Sequence, residues 1–161
     1  MTATTPDPQM PGLAPRELTL TRTLDAPRAR VFQAWTDPRH LAHWWAPRGF
    51  TNPVCEADPR PGGAIRIHME GPDGVIYPMT GVYQEVLPPE RLVFMTHAFP
   101  DDLGDRQLDA LVTVTFAEQA GKTLLTVHIQ VVKATPAAAD ALGGMELGWN
   151  QSLDKLVDYL Q

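Results

Sequence analysis

The thirteen residues GWNQSLDKLVDYL at positions 148–160 constrain the fold more than any other stretch of this chain. At about 100° per residue, Leu142, Met145, Trp149, Leu153, Leu156 and Leu160 fall in one narrow apolar stripe, while Gln151, Asp154, Lys155 and Asp158 point the other way. Such a stripe must lie against something. Residues 17–132 read mainly as strands, so the partner is a sheet, and the space between helix and sheet is where a small molecule would sit.

The chain has 161 residues, enough for one domain with a real core, expected here at residues 16–161. Residues 1–15 carry four prolines and no apolar periodicity, which reads as a loosely attached or disordered tail. Net charge is -6 and Lys and Arg nowhere cluster, so neither nucleic acid nor an anionic membrane is an expected partner. No apolar run of membrane length and no signal-peptide core is visible, and the expected compartment is the cytoplasm. Cys55 is the only cysteine, so no intramolecular disulfide can form; it reads as a small apolar residue in an early strand.

Alternation of Leu18, Leu20 and Leu24 with Thr19, Thr21 and Thr23 predicts a half-buried strand over residues 17–25. Pro27 then opens a helix at its first turn with Asp25 as cap, burying Val31, Phe32 and Trp35. Asp37-Pro38 restarts a shorter helix that reaches Trp44 or Trp45, and Pro47 and Gly49 end it. From 53 to 132, turns at Gly62-Gly63, Pro72-Asp73-Gly74, Pro88-Pro89 and Gly121 come at hairpin-like intervals, the pattern of an antiparallel meander. Ile65, Ile67 and Met69 form one dry face, as do Val112, Val114 and Phe116, and Leu125, Val127, Ile129 and Val131. Residues 75–87 and 91–98 carry large groups on both parities, so those strands are covered on two sides or line a cavity. The last helix starts at Thr135-Pro136, and Gly143, Gly144 and Gly148 predict a kink or a close backbone approach within it.

Four segments carry a resemblance: TDPRHLAHWWAPRGFT (36–51), PGGAIRIHMEGPDG (61–74), GVYQEVLPPERLVF (81–94) and GWNQSLDKLVDYL (148–160). Together they resemble blocks of the SRPBCC superfamily, and within it the family named after the activator of heat-shock protein 90 ATPase, in its polyketide-cyclase-like bacterial branch. The resemblance covers residues 17–160. It implies an α+β helix-grip fold, a curved antiparallel sheet of about seven strands wrapped around a long C-terminal helix, with two short helices after the first strand. It implies no fixed catalytic set, because the superfamily includes lipid carriers, cyclases, hydrolase-like enzymes and protein-interaction modules.

Strand parity and the helix stripe point to Trp45, Met69, Tyr77, Met79, Tyr83, Met95, His97, Leu111, Glu146 and Trp149 as the lining of a pocket for a small apolar or aromatic molecule. Tyr77 and Tyr83 offer hydroxyls that could orient a polar atom, and methionines suit an adaptable wall. His97 continues the parity of Val93 and Met95 and is a candidate acid or base, as is Glu146, which lies near the buried flank of the last helix. Glu85 shares the parity of Tyr77, Met79 and Tyr83 and poses the same question.

Metal binding is not expected: His40, His43 and Asp37 stand at helical spacing but lack the further ligands zinc requires, and Asp101, Asp102 and Asp105 lack the glycine and spacing of a calcium loop. No cofactor is expected either, since the glycine pairs have neither the lysine nor the strand-to-helix context of a phosphate loop. Three functional classes follow, in order: a binding protein for a small hydrophobic ligand, a cyclase, dehydratase or hydrolase-like enzyme using the same cavity, and a co-chaperone-like interaction module. A homodimer through an exposed sheet edge is compatible with all three.

Overall fold

The computed structural model describes residues 17–100 and 103–160; the tail at 1–15 and the aspartates at 101 and 102 lie outside the described residues. Strand β1 (Glu17–Leu24) leads into helices α1 (Arg28–Thr36) and α2 (Pro38–Trp44), followed by β2 (Thr51–Ala57), β3 (Ala64–Glu70), β4 (Ile76–Leu87), β5 (Arg91–Pro100), β6 (Arg106–Gln119) and β7 (Lys122–Ala134). These form one antiparallel sheet in the order β1-β7-β6-β5-β4-β3-β2, a meander with β1 returning beside β7. The helix-grip expectation holds. No helix among the described residues is long and apolar enough to cross a membrane.

The C-terminal helix is not continuous. A 3-10 turn at Pro136–Ala138 leads to α3 (Ala139–Gly143), and α4 (Met145–Leu160) begins after a break at Gly144. The glycine-rich half is therefore kinked as its composition predicts, and Gly148 also makes the close approach: a Cβ there would stand 3.4 Å from the Pro47 ring. Thr135 precedes the turn without capping it, because its hydroxyl is bound to Gln107 on β6. Likewise α1 starts one residue later than expected. Pro27 itself is the cap residue, and no side chain, Asp25 included, caps that end.

Asp37 does cap α2. Its carboxylate accepts from the Arg39 backbone N–H at 2.9 Å and from Arg39 Nη2 at 2.8 Å. The Arg39 side chain first, and the N–H after it, hold the acid down to about 2 from its usual 3.8. Because the folded value lies below the unfolded one, this stabilisation is complete above about pH 4 and is lost as pH falls toward 2. Asp37→Ala is expected to cost about 1 kcal/mol at neutral pH, and the difference in melting temperature from the parent should shrink between pH 4 and pH 2.

The core lies between the inner sheet face and α1, α2 and α4. Ile65, Ile67, Tyr83, Phe94, Val112, Val114, Phe116, Leu125, Val127 and Ile129 meet Trp35, Trp44, Leu153, Leu156 and Leu160, all buried. Trp35 sits at the hub, with Trp44 edge-on at 4.6 Å, Phe116 at 6.5 Å and Trp149 stacked at 6.4 Å. Packing is dense under α1, α2 and the second half of α4. Under the first half of α4 it opens.

Candidate functional site

The opening is a cavity of about 590 Å³ between the sheet and the α3–α4 junction. Met69 from β3, Tyr77 and Met79 from β4, and Thr96, Phe99 and Leu108 from β5 and β6 form its floor. The segment after α2 gives one wall through Trp45, Ala46, Pro47 and Phe50, and the helical side supplies Asp140, Ala141, Gly144, Met145, Gly148, Trp149 and Ser152. Gly81 helps shape the floor. It faces inward between Met79 and Tyr83, and a Cβ there would meet the Met95 carbonyl oxygen at 2.4 Å, so β4 can lie this close to β5 only without a side chain.

Five of the residues expected to line a pocket do so together: Trp45, Met69, Tyr77, Met79 and Trp149. Trp45 and Trp149 meet edge to face at 5.4 Å, and Tyr77 contacts Phe50 and Phe99 at 6.0 and 6.2 Å, so the cavity has aromatic groups on opposite sides. Tyr83 faces inward too, but it borders a separate void of about 10 Å³ beside Trp35, and burial pushes its phenol well above the ordinary range.

The other four do not reach the cavity. On β5 the inward residues are Phe94, Thr96 and Ala98, which puts Met95 and His97 on the outer face. There His97 Nδ1 pairs with Asp109 Oδ1 at 2.8 Å. With bulky groups at both parities of β5, alternation alone could not choose the inner set. Leu111 lies outward because Val112, Val114 and Phe116 hold the inner face of β6; Leu108 lines the cavity in its place. Glu146 is exposed in the first turn of α4, on the solvated edge of the stripe. Glu85 is turned outward by the irregularity between Tyr83 and Glu85, which pairs it with Val93 and leaves it bound to Arg91.

Several lining residues had no usable sequence signal. Phe99 and Ala46 both stand at positive φ, 57° and 78°, where side chains are uncommon. At Phe99 this breaks strand alternation and lets the ring join the lining. Two of the three non-glycine residues at positive φ among the described residues thus line one cavity, a concentration of local strain of the kind found at binding sites.

The polar face of α4 holds the Trp45–Phe50 wall in place. Lys155, expected to face water, is half-buried and turns its ammonium to the carbonyl oxygens of Ala46 at 3.0 Å, Pro47 at 3.4 Å and Trp45 at 3.5 Å. Burial lowers its pKa, and the neighbouring Arg48 adds to this. Gln151 Oε1 accepts from the Arg48 backbone N–H at 3.2 Å, and Asn52 Nδ2 donates to the Trp45 and Ala42 carbonyls at 2.8 and 3.0 Å. Three carbonyls aimed at one cation account for Ala46 adopting its strained backbone. Lys155→Met keeps the apolar stem and removes the charge; it is expected to cost about 1–2 kcal/mol and to speed amide exchange in residues 45–50.

The two helix histidines are engaged elsewhere. His40 Nδ1 lies 2.6 Å from the Tyr159 hydroxyl, and His43 stacks on the same ring at 5.0 Å. Cys55 is half-buried, and desolvation, with Glu56 adding to it, pushes its thiol up to about 11, so it is protonated at neutral pH.

A curved antiparallel sheet closed around a C-terminal helix, with an apolar cavity between them, defines a helix-grip protein. Comparison with known families places it further: the chain belongs to the family described as activator of Hsp90 ATPase homolog 1-like protein, which it matches over residues 25–161. No curated protein matches it. Among solved structures, protein CV1439 from Chromobacterium violaceum is 32% identical, with 90% of this chain and 96% of that one covered and a TM-score of 0.74. The AHSA1 (SPO3351) protein from Silicibacter pomeroyi is 26% identical, with 89% and 96% covered and a TM-score of 0.74. A protein from Arthrobacter aurescens, 23% identical, shares the fold with a TM-score of 0.79 over 90% of this chain and 86% of that one.

Proposed function

We propose that this chain binds a small apolar or aromatic molecule in the cavity between the sheet and the α3–α4 junction. The observation that carries the reading is the cavity itself. A space of about 590 Å³ walled by Trp45, Trp149, Phe50, Tyr77 and Phe99 falls in the size range of ligand sites and is lined mainly by apolar groups. Burying some 300 Å² of apolar ligand surface there at about 25 cal/mol per Å² contributes roughly 7–8 kcal/mol before the ligand's lost translational and rotational freedom is subtracted, so the expected dissociation constant is about micromolar or weaker. Strained backbone at Ala46 and Phe99, and the Lys155 clasp behind the wall, support a site held open by the fold.

Binding is favoured over turnover by what lines the space. His97 and Glu146, the two groups expected to move protons, both face away from it. Their replacement, His97→Ala and Glu146→Gln, should therefore leave ligand affinity within about twofold. Native mass spectrometry of the protein purified from its own host tests the reading: a stoichiometric small molecule that is lost on unfolding supports it. A protein that emerges bare, and that also fails to take up neutral aromatic probes, overturns it.

A further inference from the structure

The polar groups around the cavity are not balanced between donors and acceptors. Thr96 donates its hydroxyl proton to the Ala110 carbonyl at 3.2 Å, and Ser152 donates its own to the Gly148 carbonyl at 3.1 Å. A hydroxyl has one proton to give, so both have only lone pairs left to offer a ligand. Asp140 is the one charged side chain among the described lining residues, and it is a carboxylate. Nearby cations are held elsewhere: Arg48 Nη2 lies 3.3 Å from Asp158 Oδ2, and Lys155 is turned to the carbonyls of the wall. The side-chain donors that remain in the lining, the Tyr77 hydroxyl and the indole N–H groups, are neutral.

One feature pulls the other way. Gly144 and Met145 line the cavity, and a helix start carries about half a positive charge. Two full negative charges oppose it, Asp140 in the first turn of α3 and Glu146 in the first turn of α4. Two backbone bonds flank the break, the Gly144 N–H donating to the Asp140 carbonyl at 3.1 Å and the Gly148 N–H to the Gly144 carbonyl at 2.9 Å.

We infer that the cavity selects a hydrophobic amine, a molecule whose apolar or aromatic body lies between Trp45, Trp149 and Tyr77 and whose protonated nitrogen faces Asp140. This rests on the cavity being a ligand site, as proposed above, and adds the sign of the ligand's charge. Aromatic faces attract a cation and repel an anion. An ammonium also supplies the protons that Thr96, Ser152 and Asp140 can only accept. A carboxylate of the same shape meets lone pairs and a like charge.

Three probes with one naphthalene body separate these claims: 1-naphthylmethylamine, 1-naphthylmethanol and 1-naphthylacetic acid, titrated calorimetrically at pH 7 into the full chain and into Asp140→Asn. The amine should bind about tenfold or more tighter than the acid, with the alcohol between them. In Asp140→Asn, an exposed position whose change spares the core, the amine and acid should converge to within about threefold, with the alcohol changing less than either. An amine no tighter than the acid, or a preference that survives Asp140→Asn, overturns the inference while leaving the cavity a binding site. Binding by none of the three overturns the cavity reading, and this inference with it.

Discussion

Trp149→Ala is expected to weaken binding of a neutral aromatic ligand by roughly tenfold to a hundredfold and to lower stability by about 2 kcal/mol. The two effects come from two faces of one indole. Trp149 stacks on Trp35 with 14° between the planes and meets Trp45 edge-on, and the same ring forms part of the cavity wall. Because it is only partly buried, its truncation should cost less than the 3–5 kcal/mol typical of a fully buried tryptophan, about half of that. Ligand titration and thermal melting of the same variant separate the two. Lost stability with unchanged affinity would make Trp149 a packing residue only.

The largest stability effect should come from Trp35→Ala, at about 3–5 kcal/mol and roughly 10–15 °C in Tm. Trp35 is 1% exposed and joins α1 to the sheet and to α4 through four ring contacts. Its Nε1 has no hydrogen-bond partner among the described residues. Trp35→Phe should therefore lose volume but no hydrogen bond and cost only about 1–2 kcal/mol. Trp44 offers the contrast, since its Nε1 donates to the Ala34 carbonyl at 2.9 Å, and Trp44→Phe should cost about 1 kcal/mol more than Trp35→Phe for that reason. Chemical denaturation of the three variants checks the order; equal losses for Trp35→Phe and Trp44→Phe would contradict it.

Clean periodicity made the architecture readable before any coordinates. Where one strand face is dry, as in β3, β6 and β7, alternation picked out the inward-facing residues, the turn spacing implied the antiparallel meander, and the stripe from Leu153 to Leu160 marked the anchor of α4. The same rule sets Met69, Tyr77 and Met79 on the inner face, where they line the cavity, and sets Leu111 on the outer face, opposite in parity to Val112 and Val114. It failed where the backbone departs from regular geometry. The irregularity after Tyr83 reverses Glu85, positive φ redirects Phe99, and the dense two-sided composition of β5 hides which way His97 points. Lys155 was misplaced for another reason. Its charge suggested water, but a long stem lets the ammonium reach backbone carbonyls that helical periodicity cannot foresee.

Whether the cavity is a ligand site is decided by titrating the neutral fluorophore N-phenyl-1-naphthylamine into the parent protein and into Thr96→Trp. Thr96 projects from the floor, and an indole there fills space a ligand needs. The parent should take up one equivalent with a Kd of roughly one to a few hundred micromolar, and Thr96→Trp, folded by circular dichroism, should bind at least about tenfold more weakly. No saturable uptake by the parent, or equal uptake by a folded Thr96→Trp, would contradict a ligand site between the sheet and the C-terminal helix.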